Sequence, residues 1–194
     1  MMHTERISSD AAIEFGVHLV ETHMRNMDLM VVYTNDPVMV EDTINTMEWL
    51  LAEDDKYKVV DFDLAYTSGC VGHDQKVVVT QLCVHHHVIL NHYYLATLPC
   101  KRFTRFVNRH DYRFAMVDTT NDRMVLKTSS LARQKLVDIR GHYKIYGNNK
   151  DMESHVDLTE AIIDPYYGAM KAKCKKNKPV WHMAWVKRLD EHHL

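Results

Sequence analysis

Residues 58–92 read KVVDFDLAYTSGCVGHDQKVVVTQLCVHHHVILNH. Three short strand-like runs lie in this stretch: Lys58–Thr67, Lys76–Val84 and His87–His92. Ser68–Gln75 separates the first two, and a His85–His86 turn separates the last two. Consecutive β-prone runs at this spacing predict an antiparallel meander. Along the first run, alternation puts Val60, Phe62, Leu64 and Tyr66 on one face, and Val59, Asp61, Asp63 and Ala65 on the other. Two carboxylates on one face of a central strand are costly to bury without a cation or hydrogen-bond donors. They either find such a partner or lie near a strand end in water.

Before the meander, Phe15, Val17 and Leu19 alternate with polar or small neighbours, and Leu29, Val31 and Tyr33 do so again. Period two predicts two strands with a turn near Arg25–Asp28. Asp36-Pro37 has the form of an N-cap followed by Pro at the first helical position. Val40, Ile44, Met47 and Leu51 continue at helical spacing, which predicts an amphipathic helix over 37–52 and a charged loop at Glu53–Lys56. After the meander the period changes. Pro99–Asn108 reads as helix, Arg113–Thr119 as strand, Asn121–Ser130 as helix and Leu136–Ile139 as strand; 155–173 reads as helix with a break at Pro165. Strands alternating with helices imply parallel strands added to one edge of the meander. The expected architecture is an α/β domain with a mixed five-stranded sheet, flanked by helices and extended by an N-terminal β-hairpin.

The length of 194 residues fits one domain. No apolar run approaches the roughly 20 residues that span a bilayer, and Met1–Asp10 has no apolar signal core. Cys70, Cys83, Cys100 and Cys174 are widely spaced and form no CxxC. They read as reduced thiols of a cytoplasmic or nuclear protein. The net charge of −2 hides a split: 5 Lys and Arg against 15 Asp and Glu in residues 1–100, and 19 against 11 in the remainder. The two halves either neutralise each other within one fold or present a basic face to an anionic partner.

Several segments together resemble plant 3′–5′ exonuclease-domain proteins of the Werner-syndrome type, in the DnaQ-like (DEDD) superfamily with a ribonuclease H-like fold. They are FDLAYTSG at 62–69, GHDQKVVVTQLCV at 72–84, FAMVDTTNDRMVLK at 114–127, LVDI at 136–139, AIIDPYY at 161–167 and WVKRLDE at 185–191. The resemblance runs from about residue 14 to the end. It implies a site where four carboxylates hold two Mg²⁺ or Mn²⁺ ions that act on a 3′ end. The first motif of the family is Asp-x-Glu on the first sheet strand. Asp63 matches the Asp, but Ala65 stands where the Glu belongs. Asp122 matches the second motif. The third, Tyr-x-x-x-Asp on a C-terminal helix, has no counterpart in a chain that stops at Leu194, so the expectation is one domain over 1–194 without that helix. Asp61 shares a face with Asp63 but lies on the far side of it from position 65. A two-residue step is roughly 6.6–6.8 Å, whereas paired catalytic metals sit about 3.5–4 Å apart. Asp61 is therefore no substitute.

These departures imply a degenerate exonuclease that acts by binding, through a protein partner or a homodimer that covers exposed apolar surface. Two alternatives remain: a nucleic-acid-binding module, or an exonuclease with residual activity that uses Mg or Mn through Asp63 and Asp122. Lys171, Lys173, Lys175, Lys176 and Lys178 are candidate phosphate contacts, although such runs also occur as solvated helix ends. His85-His86-His87 cannot jointly hold one ion in a regular strand, since neighbours point to opposite faces. They read as a turn. Asp138 reads as a structural residue at a strand end.

Overall fold

The computed structural model describes residues 4–6, 18–24, 27–53, 57–67, 75–129, 131, 136–142, 155–163, 165–166 and 168–169. The meander forms as its alternation requires. Strand β4 (Val59–Tyr66) pairs antiparallel with β5 (Val77–Val84), which pairs antiparallel with β6 (His87–Asn91). The His85–His86 turn closes this second hairpin, with His85 in the left-handed region at φ 53°. Beyond β4, strands β7 (Arg113–Met116) and β8 (Leu136–Asp138) add in parallel. These are the five strands expected.

On the opposite side the hairpin of β2 (His18–Met24) and β3 (Met27–Thr34) joins the same sheet, because β3 pairs parallel with β6. Strand β1 (Thr4–Arg6), which the sequence pattern does not signal, pairs with β2. The sheet order is β1-β2-β3-β6-β5-β4-β7-β8. Pairing within the β2–β3 hairpin runs to Met24 opposite Met27, so Asp28 belongs to the strand and not to the expected turn.

Helix α1 (Pro37–Glu53) begins as its cap predicts. The Asp36 Oδ1 atom accepts the Val38 N–H at 2.9 Å, and Pro37 occupies the first turn, where no N–H is needed. Val40, Ile44, Met47 and Leu51 are all buried. They pack on Val60, Phe62, Leu82 and Ile89 of the sheet, together with Phe103 and Phe106 of α2 (Lys101–Val107) and Val125 and Leu126 of α3 (Thr119–Thr128). Phe114 of β7 completes an aromatic nest with Phe62 and Phe106 at centroid distances of 5.9 and 6.1 Å. The opposite face of the sheet carries a smaller cluster of Tyr33, Val78 and Val79, with Ala65 and Leu90 against it. The Tyr33 hydroxyl lies 2.6 Å from His92 Nδ1, an interaction that joins the ends of β3 and β6. Helix α4 (His155–Ile162) ends before Pro165, in keeping with the expected break. Residues 170–173 of the expected longer helix lie outside the described residues.

Candidate functional site

Strands β3, β6, β4, β7 and β8 run in one direction, so their carboxyl ends share one edge of the sheet. Open α/β sheets place ligands at that edge. Asp63 sits in the second half of β4, Asp118 lies two residues beyond β7, and Asp138 ends β8. Asp122 lies in the first turn of α3 and is 6% exposed. A carboxylate in a first turn is favoured by the helix dipole and the unpaired N–H groups there.

Tyr66, the last residue of β4, reports how these groups converge. Its phenol is held above its ordinary pKa, first by burial and then by the negative charges of Asp122, Asp63 and Asp118 in that order. The two acids singled out from the sequence, Asp63 and Asp122, thus act on one hydroxyl. Asp63 Oδ1 also accepts the N–H of Leu64 at 2.9 Å.

Arg140 organises the neighbouring pair. Its Nε is 3.0 Å from Asp138 Oδ1, and its Nη2 is 2.6 Å from Asp138 Oδ2 and 3.1 Å from Asp118 Oδ1. Asp138 Oδ2 accepts the Thr119 N–H at 3.4 Å, which caps α3 from a different strand. Hydrogen bonding to Arg140 pulls the Asp138 carboxyl down to about 2. Asp118 occupies the left-handed region at φ 56°, a conformation that costs a non-glycine residue roughly 1–2 kcal/mol. Its bond to Arg140 helps hold it there.

Asp61 belongs elsewhere. It pairs across the sheet with Cys83, and burial followed by the Asp61 charge pushes the Cys83 thiol up to about 11. Ala65 packs with Tyr33, Val78, Val79 and Leu90 in the smaller apolar cluster. Among the described residues, no group of three or more His, Cys, Asp or Glu is arranged to hold a metal ion. Mg²⁺ commonly takes one or two protein carboxylates and fills its remaining positions with water and phosphate. Asp63 and Asp122 are of the donor type that one hard cation takes together with water.

A groove of about 540 Å³ is lined by Gln75, Lys76, Val77, Tyr93, Tyr94, Thr128 and Ser129, with none of the four acids in its lining. It adjoins Tyr66 because Val77 is the cross-strand partner of Tyr66. Of the histidine run, His85 and His86 form the expected turn, whereas His87 opens β6; the His86 and His87 rings are 4.4 Å apart. Lys171, Lys173, Lys175, Lys176, Lys178 and the segment 185–191 lie outside the described residues. The pattern in the sequence assigned Asp138 to structure, which its bonds to Arg140 and Thr119 bear out. It missed Arg140, Asp118 and the role of Tyr66. The only local signal was the concentration of acids at strand ends.

No family model matches the chain, and no curated protein matches it. Solved structures do. Escherichia coli RNase D, described as an exoribonuclease involved in structured RNA processing, aligns at TM-score 0.56 and 15% identity, over 78% of this chain and 36% of that one. The Aedes aegypti Nibbler EXO domain aligns at TM-score 0.55 and 12% identity, over 83% and 77%. Trypanosoma brucei RNase D, solved as a GMP complex, aligns at 0.59 and 14%, over 84% and 51%. The chain thus spans about a third of the E. coli enzyme and half of the trypanosomal one. At these identities the likeness establishes the fold, an α/β ribonuclease H-like sheet of the exonuclease-domain kind. No helix among the described residues is long and apolar enough to cross a membrane.

Proposed function

We propose that this chain is a non-catalytic domain of the 3′–5′ exonuclease fold, and that it works by binding a protein partner or a second copy of itself. The observation that carries the reading is Ala65. It occupies the place of the second carboxylate in the family's first motif, and its surroundings are Tyr33, Val78, Val79 and Leu90. No acid there means no second anchor for a metal pair, and two-metal phosphoryl chemistry needs both ions. A reducing cytoplasmic or nuclear setting fits the free thiols of Cys83 and Cys100.

A second reading is residual metal-dependent exonuclease activity, with nucleic acid as substrate. The convergence of Asp63 and Asp122 on Tyr66, next to an open groove, favours it. One Mg²⁺ or Mn²⁺ bound by that pair would attract a phosphate but leave the departing oxygen without its own ion.

Titration with Mn²⁺, followed by electron paramagnetic resonance, tests the loss of the ion pair, and a nuclease assay separates the two readings. The proposal expects at most one ion per chain, lost in Asp63→Ala. Two ions per chain, both lost in Asp63→Ala, would contradict it.

A further inference from the structure

Asn91 ends β6 on the helix-covered face of the sheet. Ile89, two residues earlier, packs in the main core, and alternation returns the Asn91 side chain to the same side. Thr80 of β5 lies directly across from it on one side and Thr34 of β3 on the other. Leu64 of β4 is the next partner in that row, so this face is turned away from Asp63. Asn91 is 3% exposed. Thr34 Oγ1 accepts the Asp36 N–H at 2.9 Å, and the Thr80 hydroxyl has no hydrogen-bond partner among the described residues. The Asn91 side chain makes no hydrogen bond to any described residue. Buried amides are nearly always partnered, because an unpaired one is costly.

Asn91 belongs to the wall of a cavity of about 170 Å³, together with Val40 of α1, Phe103 of α2, Tyr93 and Leu98. The Tyr93 and Phe103 rings lie 6.5 Å apart between centroids and are tilted by 41°. Asn35 Nδ2 donates to the Leu95 carbonyl at 3.1 Å, which fastens the end of β3 to the segment that carries Leu98. Leu98 is 64% exposed, so this wall reaches the surface. Among the described residues no charged side chain lines the cavity. The volume suits a single ring, since a cavity of about 150 Å³ takes benzene.

We infer that this cavity is a binding site for a small neutral molecule of one ring whose edge carries an amide N–H beside a carbonyl. Each property has its own cause. The uncharged lining disfavours ions, because a charge taken out of water there finds no counterion. The volume sets the single ring, and the Tyr93 and Phe103 rings supply apolar walls for it. The Asn91 amide offers a donor and an acceptor in one plane, and an amide edge answers both: Nδ2–H donates to the ligand carbonyl, and Oδ1 accepts the ligand N–H. Mostly apolar walls with a few placed polar groups are the usual make-up of a small-molecule pocket. Water would satisfy the amide but would gain nothing from the ring walls. The site lies on the face away from Asp63 and stands independently of the proposed binding role.

The test uses the full chain and 2-pyridone, an uncharged single ring with an amide edge. N-methyl-2-pyridone, which lacks the N–H, and benzoate, which carries a charge, are run in parallel. Ligand-detected NMR measures binding. Alkylation by iodoacetamide of the half-buried Cys100 thiol, which also lines the cavity, locates it. The inference expects 2-pyridone to bind roughly tenfold more tightly than either comparator. It should slow Cys100 alkylation over the same concentration range. Asn91→Leu keeps the size of the side chain and removes its polar atoms, so it should weaken 2-pyridone binding by roughly tenfold and N-methyl-2-pyridone binding by less. Thermal melts check the variant's folding; should it not fold, Cys100 protection in the parent chain decides. Four results would overturn the inference: absence of 2-pyridone binding, as a cavity that holds only water would give; binding that leaves Cys100 alkylation unchanged; equal binding of the comparators; or a folded Asn91→Leu that binds 2-pyridone like the parent.

Discussion

Ala65 is where sequence and chemistry part most sharply. Its surroundings Tyr33, Val78, Val79 and Leu90 form a largely apolar cluster whose one polar group, the Tyr33 hydroxyl, is already engaged with His92. Ala65→Glu should therefore lower stability by about 1–2 kcal/mol, the order expected for a partly buried, uncompensated polar group. Denaturant midpoints compare the variant with the parent chain. Unchanged stability together with newly acquired Mg²⁺-dependent nuclease activity would mean that position 65 remains a ligand position. The departure at 65 is readable from the sequence, because the family pattern names the residue type expected there. The apolar surroundings are not readable, since Tyr33 comes from a distant part of the chain and Val79 faces position 65 only once the hairpin register is known.

The element that holds the acidic edge together is the junction of β7, α3 and β8. Arg140 spans Asp138 and Asp118, residues that parallel pairing of β7 and β8 brings together. The sequence shows each strand but no local pattern for the contact between their ends, so Arg140 passes unnoticed until the register is known. The hairpin illustrates the same limit. Alternation predicts β2 and β3, whereas the parallel pairing of β3 with β6 depends on α1 crossing back over the sheet. The Arg140 clamp has a pH signature. Asp138 is lowered from 3.8 to about 2 in the folded chain. A depressed carboxylate contributes stability that is full above its unfolded pKa and lost as pH falls through the folded one. Arg140→Ala should therefore cost about 1 kcal/mol near neutral pH, a modest figure because the pair is partly solvated. The difference between variant and parent should shrink as pH falls from about 4 towards 2. Urea unfolding at neutral and acidic pH measures it. A difference that stays constant across that range would contradict the clamp.

Across the whole molecule, the meander and its two parallel additions follow from alternation and period change, and all five strands are present in the sheet. Asp63 on the central strand β4 and Asp122 in the first turn of the helix after the neighbouring strand both act on the Tyr66 hydroxyl. The carboxyl-end edge of the sheet sets Asp63, Asp118 and Asp122 near Tyr66 and ties Asp118 and Asp138 to Arg140. On the proposed reading the chain works by binding and the acidic edge carries no two-metal chemistry. The decisive measurement is a nuclease assay on 3′-labelled single- and double-stranded DNA and RNA with Mg²⁺ and Mn²⁺. The Asp63→Ala/Asp122→Ala variant, purified in parallel, serves as control. The account predicts no metal-dependent trimming by the parent chain above that control. Trimming that requires the metal and disappears in the double variant would contradict it, and would make the acidic edge a working active site.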